Sequence, residues 1–321
     1  MTRVIVSLVL SFILTALSGT FLIPFLRKLK FGQSILEIGP SWHKAKQGTP
    51  TMGGIMFIIP FVLIWIVTGY SDFSAGDLRA LGAVMFTLVV AFVGFADDYI
   101  KVVKKRNMGF SAFQKLLLQI LASLAYLFFL ASKGYISTNV FIPFAGYNLE
   151  LGWFYYVFAL VLMVGIINAV NLTDGLDGLA CSISLPVFGV FCVLALKMGD
   201  TATGTLAGAL AGGCLGFLVH NFYPAKIFMG DTGSLFLGAG AVAMAFSLDI
   251  PLAIVIAGLV YIIEALSVVI QVTFFKLTGK RVFKMSPLHH HFEMSGYSEI
   301  KIVYIFTIVT VVLSVVTYFV F

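Results

Sequence analysis

The residues in this chain best equipped for chemistry are aspartates, and they fall in three short segments. Asp97-Asp98 ends an apolar run. Carboxylates at a helix C-terminus oppose the macrodipole, so they do nothing for the helix itself. Two adjacent carboxylates raise each other's proton affinity, which suits metal coordination or a general base near neutral pH. The plainer alternative is a solvated helix end softened by Lys101, Lys104 and Lys105. The second segment, Asn168-Ala-Val-Asn-Leu-Thr-Asp-Gly-Leu-Asp-Gly178, places a polar group every third residue, at Asn168, Asn171, Asp174 and Asp177. On a helix this spacing makes a drifting polar stripe, while Gly175 and Gly178 let the backbone turn or approach a ligand. That combination suits a sugar nucleotide and a metal, with a polar interhelical loop as the alternative. The third segment is Asn221 followed by Phe228-Met-Gly-Asp-Thr-Gly-Ser234. Glycines, a helix N-terminus and a hydroxyl suit phosphate, and Asp231 can hold the Mg²⁺ that escorts a diphosphate or act as a plain N-cap. Phe228 is placed to stack on a base or to be buried.

Three further features sit near these segments. Ser286-Pro-Leu-His-His-His-Phe-Glu293 carries consecutive histidines. Consecutive residues do not readily converge on one metal, because zinc pairs prefer spacings such as i, i+4. Phosphate contacts or proton handling at His290 and His291 fit better, against a solvated run. Glu264 lies inside an apolar stretch, where a carboxylate is functional or buried and paired. Lys46, Lys101, Lys105 and Lys115 lie close in sequence to the carboxylate or glycine motifs and are the phosphate candidates, with Thr51 beside Lys46. The other basic loop residues read as topology signals and anionic-lipid contacts. Cys181, Cys192 and Cys214 form no ligand pattern and read as small buried hydrophobes.

What must position these residues follows from composition. The chain has 321 residues, 60% apolar and 11% charged, with mean hydropathy +1.05. A soluble domain is roughly 25% charged, so a soluble fold, a disordered chain and a nucleic-acid-binding domain are excluded. Runs that can cross about 30 Å of hydrocarbon are expected near 4–26, 51–70, 78–96, 113–131, 152–168, 179–196, 203–219, 235–248, 251–275 and 302–321. The fold class is therefore all-α: a polytopic membrane protein of about ten transmembrane helices, read as one integral domain over 1–321. The run at 235–248 is short and must borrow from its flanks or pack inside the bundle. The first run has Arg3 ahead of it and Ala16-Leu-Ser18 within it, as a signal peptide would. However, apolar residues resume to Phe25, and Arg27, Lys28 and Lys30 follow, so a retained helix is expected. The segments 27–50, 97–115, 220–234 and 276–301 hold sixteen of the 20 Lys and Arg. The positive-inside rule puts them in the cytosol and both termini outside. Asp97, Asp98, Asp174, Asp177 and Asp231 fall on that same face. Segment 132–151, with Pro143 and an Ala-Gly-Tyr-Asn turn, reads as a small extracytoplasmic hairpin.

Taken together, the segments Lys46-Gln-Gly-Thr-Pro-Thr-Met-Gly-Gly54, Asp97-Asp98-Tyr, Asn168–Gly178, Phe228–Ser234 and Pro287–Glu293 resemble the phospho-N-acetylmuramoyl-pentapeptide transferase family (translocase I). That family lies within the polyprenyl-phosphate N-acetylhexosamine-1-phosphate transferase superfamily. The resemblance runs from about Phe31 to Tyr297, and the ten-helix layout matches. It departs at Ile35-Leu-Glu-Ile38 and Trp42. It implies a bacterial plasma-membrane enzyme of peptidoglycan synthesis. Such an enzyme transfers phospho-N-acetylmuramoyl-pentapeptide from UDP-MurNAc-pentapeptide to undecaprenyl phosphate, gives lipid I and UMP, and requires Mg²⁺. The resemblance also implies roles. Asp231 would hold Mg²⁺. Asp97 and Asp98 would take the proton from, or orient, the lipid phosphate. Asn171, Asp174 and Asp177 would bind nucleotide and sugar, with Phe228 near the uracil. Lys101, Lys115, His290 and His291 would meet phosphates or shape the site. The competing readings are a sibling that transfers N-acetylglucosamine-1-phosphate from UDP-GlcNAc, and a secondary transporter. Oligomeric state stays open, a homodimer among the options.

Overall fold

The computed structural model describes residues 1–29, 46–74, 76–103 and 109–321, without the side chains of Tyr70, Ser71 and Val103. Lys104, Lys105 and the segment around Ile35–Ile38 and Trp42 lie outside the described residues. The chain runs α1 (Thr2–Lys28), α2 (Ile55–Thr68), α3 (Tyr70–Ser74), α4 (Arg79–Val103), α5 (Ala112–Ser132), β1 (Asn139–Ile142), β2 (Tyr147–Glu150), α6 (Phe154–Thr173), α7 (Leu179–Lys197), α8 (Thr201–Asn221), α9 (Gly230–Ser247), α10 (Pro251–Ala257), α11 (Leu259–Thr278), α12 (Leu288–Glu293) and α13 (Glu299–Val320). Among the described residues, eight helices are long and apolar enough to cross a membrane. α2, a shorter apolar helix, and α9 lie at the two remaining expected runs.

The short run behaves as its length requires. α9 starts at Gly230, upstream of the apolar stretch, and every residue from Thr232 to Ser247 is buried. It packs against α4 and α6 and meets lipid nowhere along that length. α2 is shorter than the 51–70 expected because Thr51–Gly54 is used differently. Gly53 N–H donates to the Phe228 carbonyl (2.8 Å) and Gly54 N–H to that of Met229 (3.0 Å). The run 251–275 breaks at Gly258 into α10 and α11.

α1 is one unbroken helix through Ala16–Ser18, and its buried positions Ser7, Ser11, Thr15 and Gly19 recur every fourth residue. They face Gly204, Gly208, Gly212 and Gly216 of α8, at the same spacing. Small residues on both faces let the backbones approach. The hydroxyl of Ser7 then reaches the Thr205 carbonyl (2.9 Å) and that of Ser11 the Ala209 carbonyl (2.6 Å). β1 and β2 form the expected hairpin, Asn139 opposite Glu150 and Ile142 opposite Tyr147. Both termini lie at the hairpin's end of the bundle. Arg3 pairs with Asp72, and the rings of Phe321 and Phe141 are 5.7 Å apart.

Candidate active site

The site forms at the other end, where α4, α5, α6 and α9 converge. α4 brings Asp97 and Asp98 to its last turns, and Gly94 one turn earlier is where α9 crosses. A Cβ there would overlap the Asp231 backbone. One oxygen from each of Asp97, Asp98 and Asp231 falls within a cluster whose atoms all lie within 4.8 Å of one another. Asp97 is 0% and Asp98 4% exposed, so neither is the solvated helix end that sequence alone allowed. Asp98 Oδ2 accepts from both the N–H and the hydroxyl of Thr232 (2.8 Å each). The α9 N-terminus is thus filled by a carboxylate of the protein's own. Asp97 Oδ1 accepts from Phe110 N–H (2.6 Å).

Asp231 sits in the first turn of α9, not at the N-cap position, which Met229 occupies. Its Oδ1 accepts from Asn171 (2.9 Å), whose amide also donates to the Ser234 hydroxyl (2.7 Å). Its Oδ2 takes Lys101 and Lys115, both at 2.9 Å. Lys101 also lies 2.6 Å from Asp97 and Lys115 3.6 Å from it. Three carboxylates therefore share two ammonium groups. The donors are all carboxylate oxygens, which suits a hard divalent cation.

The polar stripe is helical only in its first half, because α6 stops at Thr173 and Gly178 turns the chain with φ of 79°. Asn168 donates to Gln119 (2.5 Å). Asp177 is buried and pinned by Lys46 (2.7 Å) and by Ala225 N–H (2.9 Å). Lys46 also reaches Glu299 at 2.6 Å. Burial alone would lower the Lys46 pKa, but hydrogen bonds and charge from Asp177 and Glu299 outweigh it and raise it. Asn221 holds Gly178 N–H (3.1 Å) and the Ile227 carbonyl (2.8 Å), spending both ends of its amide on the loops. Asp174 differs. It is half-buried, and none of the described residues donates to its carboxylate. Loss of water, then the charges of Asp231, Asp98 and Asp177, push its pKa well above the carboxylate range. Thr51 is buried beside Gly230, and Phe228 is half-buried with its backbone tied to Pro50 and Gly53.

The histidine run is sorted by packing. His290 is 2.6 Å from its own loop's Glu293, and His291 accepts from Lys284 N–H (3.1 Å). His289, not singled out by sequence, is 0% exposed, as is Glu264. Glu264 accepts from His289 N–H (3.1 Å) and lies 3.0 Å from its Nδ1. A carboxylate at Nδ1 keeps the proton there. The other ring nitrogen, Nε2, is buried with no partner among the described residues and points at Gly175, where a Cβ would overlap the ring. Glu264 is thus the support of His289. Glu299 and Thr232 were also missed. Thr232 lies inside the Gly-Asp-Thr-Gly element, which pointed to it, whereas nothing in sequence marks Glu299.

A helical bundle that gathers carboxylates, lysines and a supported histidine at one mouth has the groups that suit a membrane-embedded transferase of phosphorylated substrates. The profile of glycosyl transferase family 4 matches residues 80–249, which contain Asp97, Asp98, Asn171 and Asp231. Signature 1 of phospho-N-acetylmuramoyl-pentapeptide-transferase matches residues 46–58, the segment bonded to Phe228 and Met229. Enzymes of that name are similar over nearly the full length. The one from Caldanaerobacter subterraneus subsp. tengcongensis is 44% identical over 99% of this chain and 98% of its own. That of Clostridium botulinum (strain Alaska E43) is 45% identical over 98% and 95%. That of Geobacillus thermodenitrificans is 46% identical over 94% and 93%. The chain belongs to the phospho-N-acetylmuramoyl-pentapeptide-transferase family, as a multi-pass bacterial membrane protein.

Proposed function

We propose that the chain transfers phospho-N-acetylmuramoyl-pentapeptide from UDP-MurNAc-pentapeptide to undecaprenyl phosphate, releasing UMP and forming lipid I. The observation that carries this reading is that the segment matching the family signature is hydrogen-bonded to Phe228 and Met229, which lead into α9 and its Asp231. An acceptor phosphate oxygen attacks the β-phosphorus of the donor, and the bond to the UMP oxygen breaks. Asp97, Asp98 and Asp231 would hold Mg²⁺, which supplies charge neutralisation at the diphosphate. Lys101 and Lys115 balance the carboxylates and stand within reach of phosphate oxygens. Catalysis then rests on positioning and preorganised charge. Asp174, the acceptor left without a donor, takes a hydroxyl or N–H of the nucleotide or sugar, and Phe228 lies near the base. His289, aimed past Gly175, contacts phosphate or shuttles a proton, the work first expected of His290 and His291. Asp97 and Asp98 are buried and tied to Phe110 and Thr232, which favours a single displacement over an aspartyl-phosphate.

The test offers UDP-MurNAc-pentapeptide and UDP-GlcNAc separately to purified protein with undecaprenyl phosphate and Mg²⁺. UMP release from the first alone, dependent on the lipid, is expected. Turnover of UDP-GlcNAc at an equal rate, or UMP release without lipid, overturns the reading.

A further inference from the structure

α11 does not end where the bundle ends. Its last buried residue is Gln271, and every described residue from Val272 to Val282 is exposed. The segment is nonetheless ordered as a finger. Gly279 turns the chain with φ of 70°, and its N–H closes on the Phe275 carbonyl (2.9 Å). The returning strand is stapled at the base by one side chain. Gln271 Oε1 accepts from Val282 N–H (3.0 Å) and Phe283 N–H (2.9 Å), while its Nε2 donates to the Phe283 carbonyl (3.0 Å).

The finger's composition is mixed in a particular way. Phe274, Phe275, Leu277 and Val282 are exposed, Leu277 at 79%. Between and beside them stand Lys276, Lys280, Arg281 and Lys284. The described site lysines Lys46, Lys101 and Lys115 all have carboxylate partners. Among the described residues, none of these four cations has one. Arg281 and Lys284 reach only carbonyls, of Lys284 (3.4 Å) and Met294 (3.2 Å). A segment in bulk water gains nothing from four bare large apolar side chains. One deep in hydrocarbon would not carry four unpaired cations. Both are satisfied at headgroup depth, with apolar side chains at the acyl boundary and basic termini reaching out. Upstream, Ile263, Leu266, Val269 and Ile270 continue the exposed apolar face of α11, so the finger prolongs the lipid-facing belt.

We propose that residues 272–284 form a surface for anionic phospholipid, lying in the headgroup layer at the site end of the bundle and selecting phosphodiester headgroups through Lys276, Lys280, Arg281 and Lys284. It needs only the membrane setting, not the donor or acceptor assigned above. The test uses the full chain in proteoliposomes with Leu277→Trp as reporter, after subtracting the signal of the parent protein with its own tryptophans. Quenching by dibrominated phosphatidylglycerol and by dibrominated phosphatidylcholine is compared. Each cation near an anionic surface favours association roughly five-fold. The expected result is quenching by both lipids, with phosphatidylglycerol preferred at least about three-fold. In Lys276→Gln/Lys280→Gln, whose ammonium groups hold none of the described residues, that preference is expected to fall toward one. Equal quenching by both lipids in Leu277→Trp with its cations intact overturns the proposal. So does quenching by aqueous acrylamide alone, or by neither agent, the last indicating a second copy of the chain. UMP release is not read in this experiment, so its failure stays distinct from failure of the proposed reaction.

Discussion

The two ends of the bundle handle charge in opposite ways. At the hairpin end, two arginines close on three carboxylates. Arg3 meets Asp72, and Arg79 meets Asp77 at 2.7 Å and Asp200 at 3.2 Å. Asp200 also caps α8 through Thr203. At the site end three carboxylates share two lysines, one carboxylate lacks a described donor, and a buried histidine nitrogen has no partner among the described residues. The two arginines of the first arrangement are matched by carboxylates, whereas the second is unfinished. An unfinished set of buried polar groups costs stability unless something completes it. That is the physical mark of a place built for a ligand.

The largest expected break in this comparison comes from Asp231→Asn set beside Asp200→Asn. The first should cut turnover by about a thousand-fold or more, since it removes a centre of preorganised charge, and leave the protein folded. The second should leave turnover within about two-fold and cost about 1 kcal/mol through the lost helix cap. UMP release and thermal unfolding on both variants check the pair. Near-normal turnover of Asp231→Asn across a Mg²⁺ titration would sink its role.

Next in size is Glu264→Gln, expected to lower kcat about 10–100-fold by freeing the His289 tautomer. A merely structural role for Glu264 would lower stability without moving the pH–rate profile. A positioning role reshapes the limb that reports the histidine.

The smallest and sharpest test sets Asp174 against Asp77. The folded state raises the Asp174 pKa above the ordinary 3.8, so its ionised form costs stability once pH exceeds about that value. Asp174→Asn should therefore stabilise the protein at pH 7 and have no such effect near pH 3, while kcat/KM falls about ten-fold. Asp77 is the reverse. The hydrogen bond from Arg79 leads burial and holds its pKa below 3.8, so its contribution is present above that pH and is lost as pH falls through the folded value. Asp77→Asn should lower the melting temperature at pH 7 and leave activity alone. An Asp174→Asn variant that melts no higher than the parent at pH 7 removes the argument for an unfinished site.

Much of this was legible before any coordinates. Scarce charge announced lipid, loop cations gave the alternation of spans, and aspartates at helix ends marked one face. What sequence cannot resolve is choice among like residues. Three consecutive histidines look equivalent until tertiary packing turns one toward Glu264. Asp97 and Asp98 look alike until Thr232 closes on one and Phe110 on the other. Glu299 sits in the first turn of α13, where an acid is ordinary, and only the approach of Lys46 gives it a second task. Asn221 reads as a ligand contact by type, yet its amide is consumed by the loops it joins. The Asn168–Gly178 stripe is helical for only half its length: Asn168 and Asn171 lie in α6, which stops at Thr173, and Gly178 then turns the chain, so the later aspartates are placed by the loop.

α9 carries a consequence for anyone wishing to alter this protein. Helices with an open flank, such as α1, α5 and α13, tolerate apolar exchange on that flank, because lipid takes up any shape. α9 has no such flank from Thr232 to Ser247, and its glycines stand against neighbouring chain, Gly233 against Gly54 and Gly238 against Ile167. It behaves as a keystone: stabilising substitutions belong on the lipid-facing helices, and the helix that carries Asp231 is the one to leave untouched.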